Sequence, residues 1–221
     1  MTPDDDAPEL CSYVNLRRLI GVLSISLPLL CLTGLVITAT ELQSSISHCY
    51  FTNVRDVLVG VTIGISMFLI TYRGYALIDN VITNITGIAG IALALCPCLC
   101  SYTNPELNLP AGYFNIDPHV SSGIHLVSSV IFFLLLAFNS MFLFTKTDPE
   151  RAVTANKRKR NVVYIVCGLV MVVSMAIFAA FFLSMGKEKF DEVPIAFFLE
   201  SLMLLAFGTS WLVKGETIFR D

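Results

Sequence analysis

The sequence predicts an all-α membrane protein, a polytopic transmembrane bundle of six helices with both termini cytoplasmic. Of its 221 residues, 55% are hydrophobic and only 14% are charged, whereas soluble domains carry roughly 25% charged residues. The chain also divides into six apolar runs, each near the length of about 20 residues that a helix needs to cross a bilayer. The runs are apolar on every side, which is typical of helices that face lipid. We therefore expect a chain that lies in the lipid bilayer.

The six predicted spans follow one another along a single domain, residues 1–221. They cover residues 19–39, 56–72, 76–99, 120–144, 162–185 and 195–213. The second span is the shortest, and it is long enough only if Arg55 and Asp56 lie at the membrane interface.

The distribution of basic residues predicts the orientation of the bundle. Cytoplasmic loops of multi-pass proteins are enriched in Lys and Arg, and the segment between spans four and five is the most basic. It contains Lys146, Arg151, Lys157, Arg158, Lys159 and Arg160. With this segment inside, all 14 Lys and Arg residues except Arg55, Lys187 and Lys189 fall on the cytoplasmic side. The run from Lys157 to Arg160 either contacts anionic lipid head groups or serves only as an orientation signal.

This orientation places a set of polar residues at one depth near the outer face. Ionisable residues inside spans are energetically expensive and usually face the bundle interior, and Glu200 is flanked by Phe197, Phe198 and Leu199. The sequence predicts an outer polar pocket that binds a small ligand or a lipid head group. Its candidate residues are His48, Tyr50, Arg55, Asp56, His125, Ser129 and Glu200.

Other interpretations of the same residues stay open. A buried ion pair between Glu200 and Arg55 or His125 would lock the helices together without further function. A membrane-embedded metal-dependent lipid hydrolase would use zinc, held by His48, His125, Asp56 and Glu200, although no HxxxH or HExxH spacing is present. A proton-coupled transporter would use His125 and Glu200. The binding interpretation assigns no catalytic residue and no cofactor.

A second polar group is predicted at the inner ends of the spans. The turn between spans two and three brings Arg73 close in sequence to Asp79, and span six ends at Lys214. We expect a structural ion pair of Asp79 with Arg73 or with Lys214, which would pin the cytoplasmic ends of the helices.

The cysteines allow two interpretations. Cys49 and the run Cys96, Cys98 and Cys100 fall on the outer side, so Cys49 would form a disulfide with Cys98 or Cys100 in an oxidising compartment. Alternatively, the cysteines are buried free thiols that pack as small apolar residues. Among partners, we expect the lipid bilayer. A homo-oligomer stays open, and nucleic acid is disfavoured because no basic patch with interleaved aromatic residues is present.

Three stretches of the chain carry a resemblance to known families. They are Ser45-Ile46-Ser47 with Tyr50, Thr52, Arg55-Asp56 and Val59-Gly60; Tyr72-Arg73-Gly74-Tyr75 with Asp79-Asn80; and Glu200 with the run from Phe207 to Gly215. Together they resemble an uncharacterised family of bacterial six-helix integral membrane proteins. The resemblance implies six spans in the bacterial inner membrane and no settled activity.

Two further likenesses are fainter. The Ile-Ser motif before span two is similar to that of the DRAM/Frag-type membrane proteins. The alkaline-ceramidase-like hydrolases also combine Ser, Asp and His at one membrane face. This chain departs from those hydrolases, because it lacks a seventh span and the paired histidines near the C-terminus.

Overall fold

The structure, a computed structural model, describes residues 7–74, 76–99, 114–147 and 154–219. The described part is all-α, as the sequence predicts. Its helices are α1 (Ala7–Ile37), α2 (Arg55–Thr71), α3 (Leu77–Leu95), α4 (Pro118–Phe138), α5 (Ala155–Asp191) and α6 (Ile195–Lys214). A short 3₁₀ helix, Ser47–Phe51, precedes α2, and a π-helical turn, Asn139–Leu143, extends α4.

Five of the described helical segments are long and apolar enough to cross a membrane. They are Tyr13–Ile37, Leu77–Leu95, Pro118–Leu143, Ala155–Gly186 and Ile195–Lys214. Helix α2 has 17 residues, which is the lower end of the range of about 17–25 residues for a spanning helix. The helices therefore match a multi-pass integral membrane protein with five clear membrane-spanning segments and a short α2.

The helix ends follow local sequence signals. Asp117 precedes α4, where its carboxylate accepts hydrogen bonds from the backbone N–H groups of His119 and Val120, with Pro118 in the first helical position. Helix α3 ends at Leu95, earlier than the predicted residue 99, because Pro97 follows and disfavours a helical residue before it. Helix α5 begins at Ala155 after the Thr154 cap, so Lys157 to Arg160 lie in a helix rather than in the predicted loop.

The helices pack in chain order, and α6 returns to α1. At one end of the bundle, the Arg18 Nε–H group donates to the Gly215 carbonyl over 2.8 Å, and the Lys157 ammonium donates to the Phe144 carbonyl over 2.9 Å. We call this the basic end. At the opposite end, the backbone N–H of Phe197 donates to the Ser44 carbonyl over 2.8 Å. The bundle is thus an up-and-down ring.

Apolar side chains occupy both the interior and the exterior of this ring. The interior contains the fully buried Trp211, Phe207 and Ile65. On the exterior, Leu183 is 81% exposed and Val36 is 72% exposed. A water-soluble surface rarely presents apolar side chains so extensively, and this exterior is suited to contact with lipid.

Candidate functional site

The bundle has a cavity of about 70 Å³ near the end opposite the basic one. Helices α1 to α4, helix α6 and the 3₁₀ helix contribute to its walls, which are mainly apolar. The polar residues that line it are Ser47, Tyr50, Thr62, His125, Ser129 and Glu200. Four of the seven residues that the sequence singled out for an outer pocket therefore meet at one cavity.

Glu200 joins helix α6 to the 3₁₀ helix. It lies in the second turn of α6, and its Oε2 atom accepts a hydrogen bond from the backbone N–H of Ile46 over 2.7 Å. Ile46 immediately precedes the 3₁₀ helix, and the backbone N–H of Ser47 also interacts with this carboxyl group. The first N–H groups of a helix lack partners inside the helix. Glu200 supplies this missing acceptor, although it lies 154 positions away from Ile46 in the sequence.

His125 joins helix α4 to the same 3₁₀ helix. Its Nδ1 atom lies 2.8 Å from the Cys96 carbonyl oxygen, and because a carbonyl can only accept, Nδ1 carries the proton. In a neutral ring Nε2 is then an acceptor, and the Ser47 hydroxyl donates to it over 3.1 Å. The Ser129 hydroxyl donates to the His125 carbonyl. Ser47 therefore connects His125 with the residues that Glu200 binds.

The remaining three residues of the predicted pocket do not line the cavity. His48 is buried, and its Nδ1 atom lies 2.5 Å from the Ser44 hydroxyl. The Arg55 guanidinium donates to the Tyr50 hydroxyl over 2.8 Å and lies 4.4 Å from the centre of its ring. Asp56 is exposed in the first turn of α2. Tyr50 therefore lines the cavity and also binds the Arg55 side chain through its hydroxyl group and its ring.

Sequence reasoning missed Ser47 and Thr62. The Ser47 contact with His125 joins residues 78 positions apart, and no local pattern marks it. Thr62 lies seven residues after Arg55, on the same side of α2 by helical periodicity. That spacing was the one signal able to place Thr62 near the predicted pocket.

At the basic end, Asp79 has a partner that the sequence did not single out. Asp79 is buried and forms an ion pair with Lys146, whose side chain is 37% exposed. The second Asp79 oxygen, Oδ2, accepts from the Ala76 backbone N–H over 3.2 Å. Of the two predicted partners, Arg73 is exposed, and the Lys214 ammonium lies 5.2 Å from the centre of the Phe144 ring.

The residues named as zinc ligands do not meet as one group. His125 and Glu200 line the cavity, whereas His48 and Asp56 do not. Within the described ranges, no three His, Cys, Asp or Glu side chains are grouped to hold a metal ion. The zinc hydrolase stays a prediction, without a ligand set in these residues.

Cys31, Cys49, Cys96 and Cys167 are free thiols. Cys49 is buried in the 3₁₀ helix beside Cys31 of α1. The pKa of Cys49 is raised above its usual range, chiefly by a hydrogen bond to the Cys31 thiol and secondly by burial. Cys100 lies outside the described residues, so the predicted Cys49–Cys100 disulfide has no structural description.

Comparisons of the chain with protein-family models, with curated proteins and with solved structures found no match.

Proposed function

We propose that the protein is a six-span integral membrane protein that binds a small ligand or a lipid head group in the cavity lined by His125 and Glu200. The observation that supports this proposal is the position of a carboxyl group and an imidazole in the wall of a mainly apolar cavity. Polar groups in such a place usually orient a ligand whose remaining part is apolar. The protein then acts as a binding protein.

The proposed topology adds α2 as the sixth span and places the basic end in the cytoplasm. Helix α2 packs against α1 and α3 within the ring, so it lies alongside helices that are long enough to cross. Six spans return the C-terminus to the side of the N-terminus, and the basic end then follows the rule that cytoplasmic segments are rich in Lys and Arg. The bacterial inner membrane is the location that this proposal assigns.

The chemistry of the cavity favours a ligand that donates hydrogen bonds. An ionised carboxylate can accept about four hydrogen bonds, and the backbone N–H groups of Ile46 and Ser47 account for two. The Ser129 and Thr62 hydroxyls already donate to carbonyl groups, so each hydroxyl oxygen can serve a ligand only as an acceptor. A cavity of about 70 Å³ matches a head group, because pockets for drug-sized molecules are about 300–1,000 Å³. An amine or hydroxyl head group fits these features.

A thermal-stability titration tests this proposal. The purified protein in a neutral detergent is titrated with hexylamine, hexanol and hexanoate, which share one chain and differ in the head group. A ligand that binds only the folded state raises the unfolding temperature in proportion to its occupancy. We expect hexylamine and hexanol to raise it and hexanoate to leave it unchanged.

Variants assign the effect to the cavity. Glu200→Gln is expected to abolish the shift with hexylamine, while Glu192→Gln, which changes an exposed carboxylate near the same end, leaves it intact. Equal shifts with all three compounds, or a shift that survives in Glu200→Gln, would contradict binding at this cavity.

One observation favours proton-coupled transport as a second candidate. Buried hydroxyl groups continue from the cavity toward the basic end: Thr62 and Ser66 on α2, and Thr86 and Thr83 on α3, followed by Asp79. Each hydroxyl donates to the carbonyl four residues earlier in its own helix, so each keeps its acceptor lone pairs. A proteoliposome assay with a pH-sensitive dye tests this candidate. Proton flux that is lost in Glu200→Gln and kept in Glu192→Gln would support it, and absence of flux would reject it.

A further inference from the structure

The basic end of the bundle contains a second cluster of polar and aromatic groups, separate from the cavity. Its centre is Trp211 of α6, which is 0% exposed. The indole ring packs edge-on against Tyr72, with ring centres 5.0 Å apart, and against Phe144, with ring centres 5.1 Å apart. Phe144 in turn packs against Tyr164, with centres 5.4 Å apart. Residues just after α2 and after the π-helical turn thus meet α5 and α6 through aromatic contacts.

Three basic side chains stand over the rings of this cluster. The Arg17 guanidinium lies 5.6 Å from the centre of the Tyr72 ring, and the Lys157 ammonium lies 5.9 Å from that of Tyr164. The Lys214 ammonium lies 5.2 Å from the centre of Phe144. The three cations come from α1, α5 and α6, so their proximity is a product of the tertiary fold.

Several basic side chains lie close enough to Lys214 to interact with it electrostatically. The Lys214 side chain is 8% exposed, and it experiences repulsion from Arg17, Lys157 and Arg160 and attraction from Asp79. Asp79 already forms an ion pair with Lys146.

The same cluster contains hydrogen-bond donors without acceptors. Within the part of the chain that the structure describes, the Trp211 Nε1–H and the Arg17 Nε–H groups are buried and have no hydrogen-bond partner. Buried donors in folded proteins are nearly always satisfied. The two unused donors lie among basic side chains, and together they indicate a missing group that has several acceptor oxygens and a negative charge.

We propose that this cluster is a binding site for a phosphate group, formed by Arg17, Lys157, Trp211 and Lys214. A phosphate is a tetrahedral anion that accepts hydrogen bonds from several directions, which suits donors from three helices better than a planar carboxylate does. The cluster lies at the end of the bundle, where phospholipid head groups meet membrane proteins. The phosphate belongs either to a lipid head group or to a soluble phosphorylated molecule. This site is independent of the cavity near Glu200.

The fluorescence of Trp211 can measure binding at this site. It is the single tryptophan of the chain, so the intrinsic tryptophan fluorescence of the purified protein reports on this cluster alone. The protein in a neutral detergent is titrated with inorganic phosphate, with dihexanoylphosphatidic acid and with dihexanoylglycerol, which lacks the phosphate. We expect a saturable fluorescence change with dihexanoylphosphatidic acid and none with dihexanoylglycerol. An equal affinity for inorganic phosphate assigns the site to soluble phosphate compounds, and a response to the lipid alone assigns it to head groups.

Three variants decide whether the signal comes from this site. Lys214→Gln and Arg17→Gln each remove a charge-assisted contact, so the dissociation constant should rise about tenfold or more in each. Arg158→Gln removes an equal charge from an exposed position of α5, and its dissociation constant should stay within about twofold of the parent. Arg17 is only half-buried, so Arg17→Gln retains the test if Lys214→Gln does not fold. The proposal is overturned if neither phosphate compound gives a saturable change, or if Arg158→Gln binds as weakly as Arg17→Gln.

Discussion

Glu200 has a structural role in addition to any role in binding a ligand. Its carboxylate accepts a hydrogen bond from the Ile46 N–H group and so fixes the connection between α1 and α2 to helix α6. Loss of a partner for a buried N–H group costs about 1–3 kcal/mol, a large part of the free energy of unfolding of a typical domain.

We therefore predict that Glu200→Ala lowers the free energy of unfolding by about 1–3 kcal/mol. Glu200→Gln should have a smaller effect, because its amide oxygen still accepts from Ile46. Thermal unfolding in detergent measures both, with Glu192→Ala as a control at an exposed position. Equal losses in Glu200→Ala and Glu192→Ala would show that the Ile46 contact contributes nothing to stability.

The buried Asp79 allows a second test at the level of single residues. Its ion pair with Lys146 predicts that Asp79→Asn and Lys146→Met are not additive, with a coupling free energy of about 0.5–3 kcal/mol. The partly exposed lysine favours the lower half of that range. A parallel cycle of Asp79→Asn with Arg73→Met should give a coupling within about 0.5 kcal/mol of zero. Stronger coupling to Arg73 than to Lys146 would instead support the pairing that sequence proximity suggests.

Sequence reasoning found the unusual residues of both polar clusters but not their partners. Glu200 and His125 stand out because ionisable residues are expensive inside apolar spans. Their partners are residues that nothing in the sequence marks as unusual. Ser47, which contacts His125, and Lys146, which contacts Asp79, are recognised as partners only in the folded structure. The Asp79–Lys146 pair joins positions 67 residues apart, and no spacing rule reaches that far.

At the scale of helices, close packing depends on small residues at particular contacts. Gly208 of α6 faces α1, where an added Cβ atom would lie 2.7 Å from the Gly21 carbonyl oxygen and 2.6 Å from the Ile25 side chain. Membrane helices use such residues to bring their backbones together. A methyl group at this position has to separate α1 from α6, because a backbone oxygen cannot rotate away.

We predict that Gly208→Ala lowers the free energy of unfolding by about 1–3 kcal/mol through overpacking. Gly60 of α2 is the matched control, since an added Cβ there meets no atom within 4 Å. Gly60→Ala should be neutral or stabilising, because alanine favours a helix more than glycine does. Thermal unfolding of both variants in one detergent makes the comparison. A Gly208→Ala protein as stable as Gly60→Ala would contradict the close approach of α1 and α6.

Helix identities were predictable, and helix ends less so. The apolar runs predicted α1 and α3 to α6 because each is long and uniformly apolar. The ends depend on single residues: Thr154 caps α5 well before the apolar run begins, and Asp117 starts α4. Hydropathy alone does not register a cap, because its effect comes from hydrogen bonds to free N–H groups.

The orientation of the whole molecule is open to a labelling test. We predict that, in intact cells, a membrane-impermeant maleimide labels Asp56→Cys and Glu192→Cys from outside. Arg73→Cys and Lys159→Cys should react only after permeabilisation, because the positively charged end stays in the cytoplasm. All four positions are exposed in the structure. The parent chain gives the background labelling, and its Cys31, Cys49, Cys96, Cys98 and Cys167 are buried or half-buried.

Two outcomes would contradict this topology in different ways. The reverse labelling pattern at Glu192→Cys and Lys159→Cys would show that the bundle has the opposite orientation in the membrane. Reaction of Asp56→Cys and Arg73→Cys from the same side would show that α2 does not cross the membrane, which would leave five spans.

The sequence by itself determined the all-α class and the apolar helices. In lipid a backbone must satisfy its own hydrogen bonds, so a long apolar run has to be a helix, and this constraint is local. Tertiary structure alone decided which polar residues meet: Glu200 with Ile46, His125 with Ser47, and Asp79 with Lys146. Such meetings depend on how each helix is rotated about its axis and on which helix stands beside it. Those quantities come from the packing of the whole ring, in which α6 returns to α1.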